Sequence, residues 1–99
     1  MIMVRDVLHC RPGKVRDLVE KFGSVAEAME EAGMTPFRMY TDISGERFWT
    51  LVLEAEHESM ETFMEALSAI MSDERMKSAM AGYHELVESG RREIYQVEA

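Results

Sequence analysis

The chain has 99 residues, 46% of them hydrophobic and 30% charged, and a net charge of −8; it is read as one domain, 1–99, large enough to fold alone around a modest core. Eleven Lys and Arg are scattered among nineteen acids, which argues against a nucleic-acid partner, and no apolar run approaches the roughly 20 residues that span a bilayer. The single cysteine, Cys10, forms no internal disulfide and supplies no thiolate zinc site, so no structural metal is expected.

Ile2 to Cys10 (IMVRDVLHC) is rich in branched apolar residues and is closed by Arg11, Pro12 and Gly13, the signature of a strand that gives way to a helix. No basic segment precedes an apolar stretch there, so the start of the chain does not read as a secretion signal and the cytoplasm is the expected location. From Lys14 to Ala32 the apolar positions Val15, Leu18, Val19, Phe22, Ala26 and Met29 recur at helical spacing, and Gly33 stops the helix. Thr35 to Ile43 and Arg47 to Ala55 read as two antiparallel strands joined by Ser44, Gly45 and Glu46.

Ser59 is the expected N-cap of the next helix, whose stripe is Met60, Phe63, Met64, Leu67, Ile70 and Met71. Ser72 and Asp73 begin another, expected to run to about Ser89 with Met76, Met80, Tyr83 and Val87 on one face and Gly90 as its stop. Arg91 to Val97 is the last strand. The order is that of an α+β, ferredoxin-like domain: a four-stranded antiparallel sheet with helices on one face.

The run FWTLVL, Phe48 to Leu53, is apolar on both parities, since Trp49, Leu51 and Leu53 alternate with Phe48, Thr50 and Val52. The face left without helices is then an apolar area on the order of 300 Å², at the edge of what a monomer leaves in water. A homodimer closed by a twofold axis is the expected cover. The alternative is a wet face, because Arg5, Arg38, Asp42, Arg92 and Glu93 also lie on strands. Six of the ten methionines, including Met29, Met60 and Met76, are expected on the sheet-facing stripes, where flexible thioethers fill irregular space and adapt to apolar ligands.

The opening VRDVLHCRPGKVRDLVEKF, the segments SMETF and SDERMKSAMAGYHELV, and the closing ESGRREIYQVE resemble the dimeric α/β-barrel superfamily. Within it the similarity is to antibiotic-biosynthesis-monooxygenase-like and NIPSNAP-like domains. The resemblance covers nearly the whole chain and rests on apolar spacing, not on catalytic signatures. It implies a homodimer whose subunits each keep a small cavity between sheet and helices. Relatives use that cavity for cofactor-free oxidation of aromatic compounds, for haem degradation, or for no known chemistry. The haem-degrading pattern of Asn, Trp and His is met only at His84; the first strand offers Arg5 and Asp6, and the helical Trp position falls at Phe63 and Met64.

Five residues are candidates for a site: His84 as general base, and Tyr40, Trp49, Tyr83 and Tyr95 as ligand-binding rings. Each has a plainer reading, a core-edge imidazole or ordinary aromatic packing. His9 and Cys10 are neighbours on a strand and point to opposite faces, which disfavours a dyad. His57 among Glu54, Glu56 and Glu58 reads as part of a solvated charge run before a metal site. No glycine-rich phosphate loop, Gly-x-Ser-x-Gly elbow or His-Glu-x-x-His pair occurs, which disfavours nucleotide hydrolysis, triad esterase chemistry and zinc proteolysis. Three functions remain: a homodimer binding a small apolar or aromatic molecule without a cofactor, a cofactor-independent monooxygenase or isomerase acting on a hydroxyaromatic or quinone-type substrate, and a structural dimer without ligand.

Overall fold

Strand β1, Ile2–Cys10, lies between β3, Thr50–His57, and β4, Val87–Gln96, with β2, Arg38–Thr41, at the far edge beside β3. All three pairings are antiparallel in this computed structural model, which describes Met1–Ala99. Helix α1, Val15–Glu31, follows β1; α2, Met60–Ser72, α3, Glu74–Ala79, and the short α4, Tyr83–Leu86, connect β3 to β4. This is the ferredoxin-like α+β arrangement. The first and last strands also meet at their tips, where the Val97 N–H donates to the Met1 carbonyl at 3.0 Å.

Register decides which side chains reach the helices. Val4, Asp6 and Leu8 face them from β1, level with Ala55, Leu53 and Leu51 of β3 and with Ile94, Arg92 and Gly90 of β4. Leu8, Cys10, Leu51 and Leu53 pack with Val15 and Leu18 of α1 and Leu86 of α4 into one core; Leu18 and Leu51 have no exposed surface. A second, smaller core joins Val25, Ala28 and Met29 of α1 to Met76 of α3. Gly90 sits hard against β1: a Cβ there would lie 2.9 Å from Leu8 Cδ2 and 3.2 Å from the Val7 carbonyl oxygen. Gly90→Ala is expected to lower unfolding free energy by about 1–3 kcal/mol, the usual cost of overpacking, read from urea titration; an unchanged midpoint would show that β4 is not held this close.

Two caps anticipated in the sequence are present. The Ser59 hydroxyl accepts from the Thr62 N–H at 3.1 Å, and the Asp73 carboxylate accepts from the Met76 N–H at 3.0 Å.

Three elements differ from expectation. The hairpin strands are shorter and the loop longer, 42–49, because Asp42 accepts from the Thr50 N–H at 2.7 Å and Trp49 takes a left-handed backbone, φ 62°. That conformation resets the alternation, so Trp49 is not on β3, and Ile43 and Phe48 are almost wholly exposed. The single helix expected to Ser89 is broken at Gly82, φ 85°, and β4 begins at Val87, with Gly90 inside the strand. On α2 the inward residues are Phe63, Ala66, Leu67 and Ile70, while Met60, Met64 and Met71 are exposed. Small Ala66 marks the inward side, and the six-position apolar stripe was too wide to define it.

The helix-free face is also less apolar than its sequence suggested. Val7, Val52 and Tyr40 lie on it beside an ion-pair row. Arg5 donates to Glu54 at 2.8 Å and lies 3.7 Å from Glu93, which also accepts from Arg91 at 2.5 Å and from the Tyr95 hydroxyl at 3.0 Å.

Candidate functional site

Between the sheet and the helices lies a cavity of about 680 Å³, partly open to solvent. Val4, Leu53 and Ala55 form its floor; Phe22, Val25 and Met29 of α1 and Phe63, Leu67 and Ile70 of α2 form its walls. It exists because α1 covers the Leu8 end of the sheet with large side chains, while α2 presents Ala66 and Ala69 toward the other end. Fourteen of the 23 lining residues are hydrophobic, the composition of a site for a small organic molecule.

The polar content of the floor is concentrated in one pair. Asp6 and Arg92 stand directly opposite in the β1–β4 register, and Arg92 donates from Nε to Asp6 Oδ1 at 2.7 Å and from Nη2 to Oδ2 at 3.2 Å. The hydrogen bond to Asp6 raises the Arg92 pKa above its ordinary value. The guanidinium also lies 5.2 Å from the Phe63 ring centroid, and the His57 ring is 5.2 Å from the same ring. Tyr83 stands behind this wall, edge-on to Phe22 at 6.3 Å, with its phenol pKa pushed up first by burial and then by the charge of Asp6.

His57 lines the cavity and burial lowers its pKa. With Glu54, Glu56 and Glu58 it forms no cluster able to hold a metal ion. His9, buried on the other face beneath the 42–49 loop, is lowered first by burial and then by the charges of Arg47 and Arg91; its Nδ1 lies 3.4 Å from the Thr50 hydroxyl. Both imidazoles therefore bind protons more weakly folded than unfolded. Between the lowered folded pKa and the ordinary imidazole value of 6.5 the unfolded chain holds more protons, so stability is complete above 6.5 and falls as pH drops from there through the folded pKa. Urea midpoints are expected to decline from pH 7.5 to 5.5, and His9→Asn with His57→Gln to flatten that slope; a slope unchanged in the double variant would assign it to the carboxylates.

The residues singled out in the sequence do not assemble into one site. His84 is exposed on α4, its ring 5.4 Å from that of Tyr83, and is not part of the cavity lining. Tyr40 and Tyr95 lie on the opposite face of the sheet, and Trp49 lies in the 42–49 loop, so none of the three lines the sheet–helix cavity. Tyr83 alone of the five packs beside its walls. Among the polar residues of the lining, Asp6, Arg92 and His57 are those the strands carry on the helix-facing side, and Asp6 had a signal: it interrupts the apolar parity Ile2, Val4, Leu8, Cys10 on the core side of a central strand.

The fold is that of NIPSNAP-family and antibiotic-biosynthesis-monooxygenase-like proteins. A NIPSNAP-like domain protein from Burkholderia xenovorans superposes with a TM-score of 0.84 at 12% identity, over 99% of this chain and 85% of its own. A NIPSNAP family protein from Agrobacterium tumefaciens gives 0.81 at 14%, over 96% and 90%. A putative antibiotic biosynthesis monooxygenase from Deinococcus radiodurans gives 0.71 at 12%, over 100% and 94%. No protein-family model matches the sequence, and no curated protein is significantly similar to it. No helix is long and apolar enough to cross a membrane.

Proposed function

We propose that the protein binds a small apolar or aromatic molecule in the cavity between sheet and helices. The observation that carries this reading is the cavity itself: about 680 Å³, predominantly apolar, and walled by two helices and the sheet, within the size range of small-molecule sites. A neutral fluorescent probe, N-phenyl-1-naphthylamine, is expected to bind saturably with one molecule per chain. Fluorescence that rises without saturation would reject the reading.

A homodimer is the second part of the proposal. Tyr40 and the half-buried Val52 on the helix-free face, together with the exposed Ile43 and Phe48 of the adjoining loop, present apolar surface that a second copy covers. The ion-pair row gives that contact a mixed character, so its strength depends on salt. Native mass spectrometry from low-salt buffer is expected to show a dimer; a bare monomer at micromolar concentration would remove this part of the proposal and leave the cavity reading standing.

A further inference from the structure

We propose that the Asp6–Arg92 pair is the polar anchor of the cavity and selects a ligand with an uncharged hydrogen-bonding head, a hydroxyl or carbonyl on an apolar or ring-bearing body, over the carboxylate of the same skeleton. The inference rests on the cavity reading above and adds the chemistry of the ligand.

The hydrogen-bonding capacity of the pair supplies the first half of the argument. Arg92 spends Nε and one N–H of Nη2 on Asp6, which leaves Nη1 as a free donor; each Asp6 oxygen accepts one bond and retains further acceptor capacity. The pair therefore offers a donor and an acceptor side by side at the floor of an apolar space, and its charges cancel. A hydroxyl answers both at once, and a carbonyl answers the donor. A carboxylate answers only the donor and sets its charge against that of Asp6.

Charge along the rest of the lining supplies the second half. Glu58 and Glu65 are exposed at its margin, and neither is within 4.0 Å of a Lys, Arg or His partner. Glu54 and Glu56 point by register to the opposite face, where Arg5 holds Glu54 at 2.8 Å. Arg92 is the one Arg in the lining, no Lys joins it, and it is already paired. An anion approaching the cavity meets two uncompensated negative charges and no uncompensated positive one, and the partly apolar surroundings screen this less than bulk water does. Phe63, under the guanidinium, gives the ring of a ligand a face to lie beside.

The test is a calorimetric titration of the whole chain at pH 7.5 with 2-naphthalenemethanol and with 2-naphthoate, a pair alike in ring and unlike in head charge. The alcohol is expected to bind once per chain and the carboxylate at least about tenfold more weakly. Equal or tighter binding of naphthoate overturns the anchor and leaves the cavity reading intact; binding of neither overturns the cavity reading itself. Asp6→Asn keeps the shape of the side chain and uncovers the charge of Arg92, and is expected to shift the preference toward naphthoate by about tenfold or more. If that variant does not fold, Arg92→Met is the alternative, with weaker alcohol binding and naphthoate still excluded. Alcohol affinity and head preference unchanged in the folded variant would overturn the proposal.

Discussion

Ala55→Phe is expected to abolish ligand binding while leaving the fold intact. Ala55 lies on the helix-facing side of β3, opposite Val4, and lines the cavity floor. A phenyl ring at this position projects into the space a ligand would fill, and it displaces contact worth about 3 kcal/mol for a buried ring, or roughly 100-fold in affinity. Stability is expected to change by no more than about 1 kcal/mol, because the new ring enters open volume and does not force a packed core apart. Probe titration and urea unfolding on the same preparation separate the two effects. Unchanged probe affinity would place the binding site elsewhere, the groove on the opposite face being the next place to look.

Leu51→Ala carries the largest expected cost in stability. Leu51 has no exposed surface, stands opposite Leu8 in the β1–β3 register, and packs in the core beneath α1. Removing a buried leucine costs its transfer free energy plus that of the cavity left behind, about 2–5 kcal/mol. That is a large share of the roughly 5–15 kcal/mol that holds a domain together. Met71→Ala on α2 is the control: its side chain is mostly exposed, and the expected change is within about 0.5 kcal/mol. A loss below about 1 kcal/mol at Leu51 would contradict its place at the centre of the core.

The sequence revealed elements best where one signal decided them. β1 was legible from end to end, and α1 to within one residue at each terminus, because Pro12, Gly13 and Gly33 bracket a regular apolar stripe. The hairpin was overextended because Phe48 and Trp49 look like strand residues, while the features that end the strand are tertiary: the Asp42 side chain on the Thr50 N–H and the left-handed backbone at Trp49. The break at Gly82 was obscured by apolar spacing that continues across it from Met76 to Val87.

The site was less legible than the fold for a related reason. Rings and histidines attract attention in a sequence, yet strand parity decides which face they occupy. Tyr40 and Tyr95 fall on the wrong side of the sheet for the cavity, whereas Asp6 and Arg92, ordinary charged residues 86 positions apart in the chain's central and edge strands, meet in register at its floor. The pairing partner of Asp6 is fixed only once β4 docks, and no local pattern announces it.

The position of β1 between β3 and β4 also sets an order in time. Within this domain β1 comes first in chain order, and the strand that covers one of its edges, β4, is made after the domain's other elements. Until then that edge is an unpaired row of backbone donors and acceptors, the kind that recruits foreign strands. Arg5 and Asp6, side by side on opposite faces of β1, carry charge into that exposed edge throughout the wait. The Asp6–Arg92 and Arg5–Glu93 contacts close only when β4 docks, so the cavity floor is completed by the strand of this domain that comes latest in chain order.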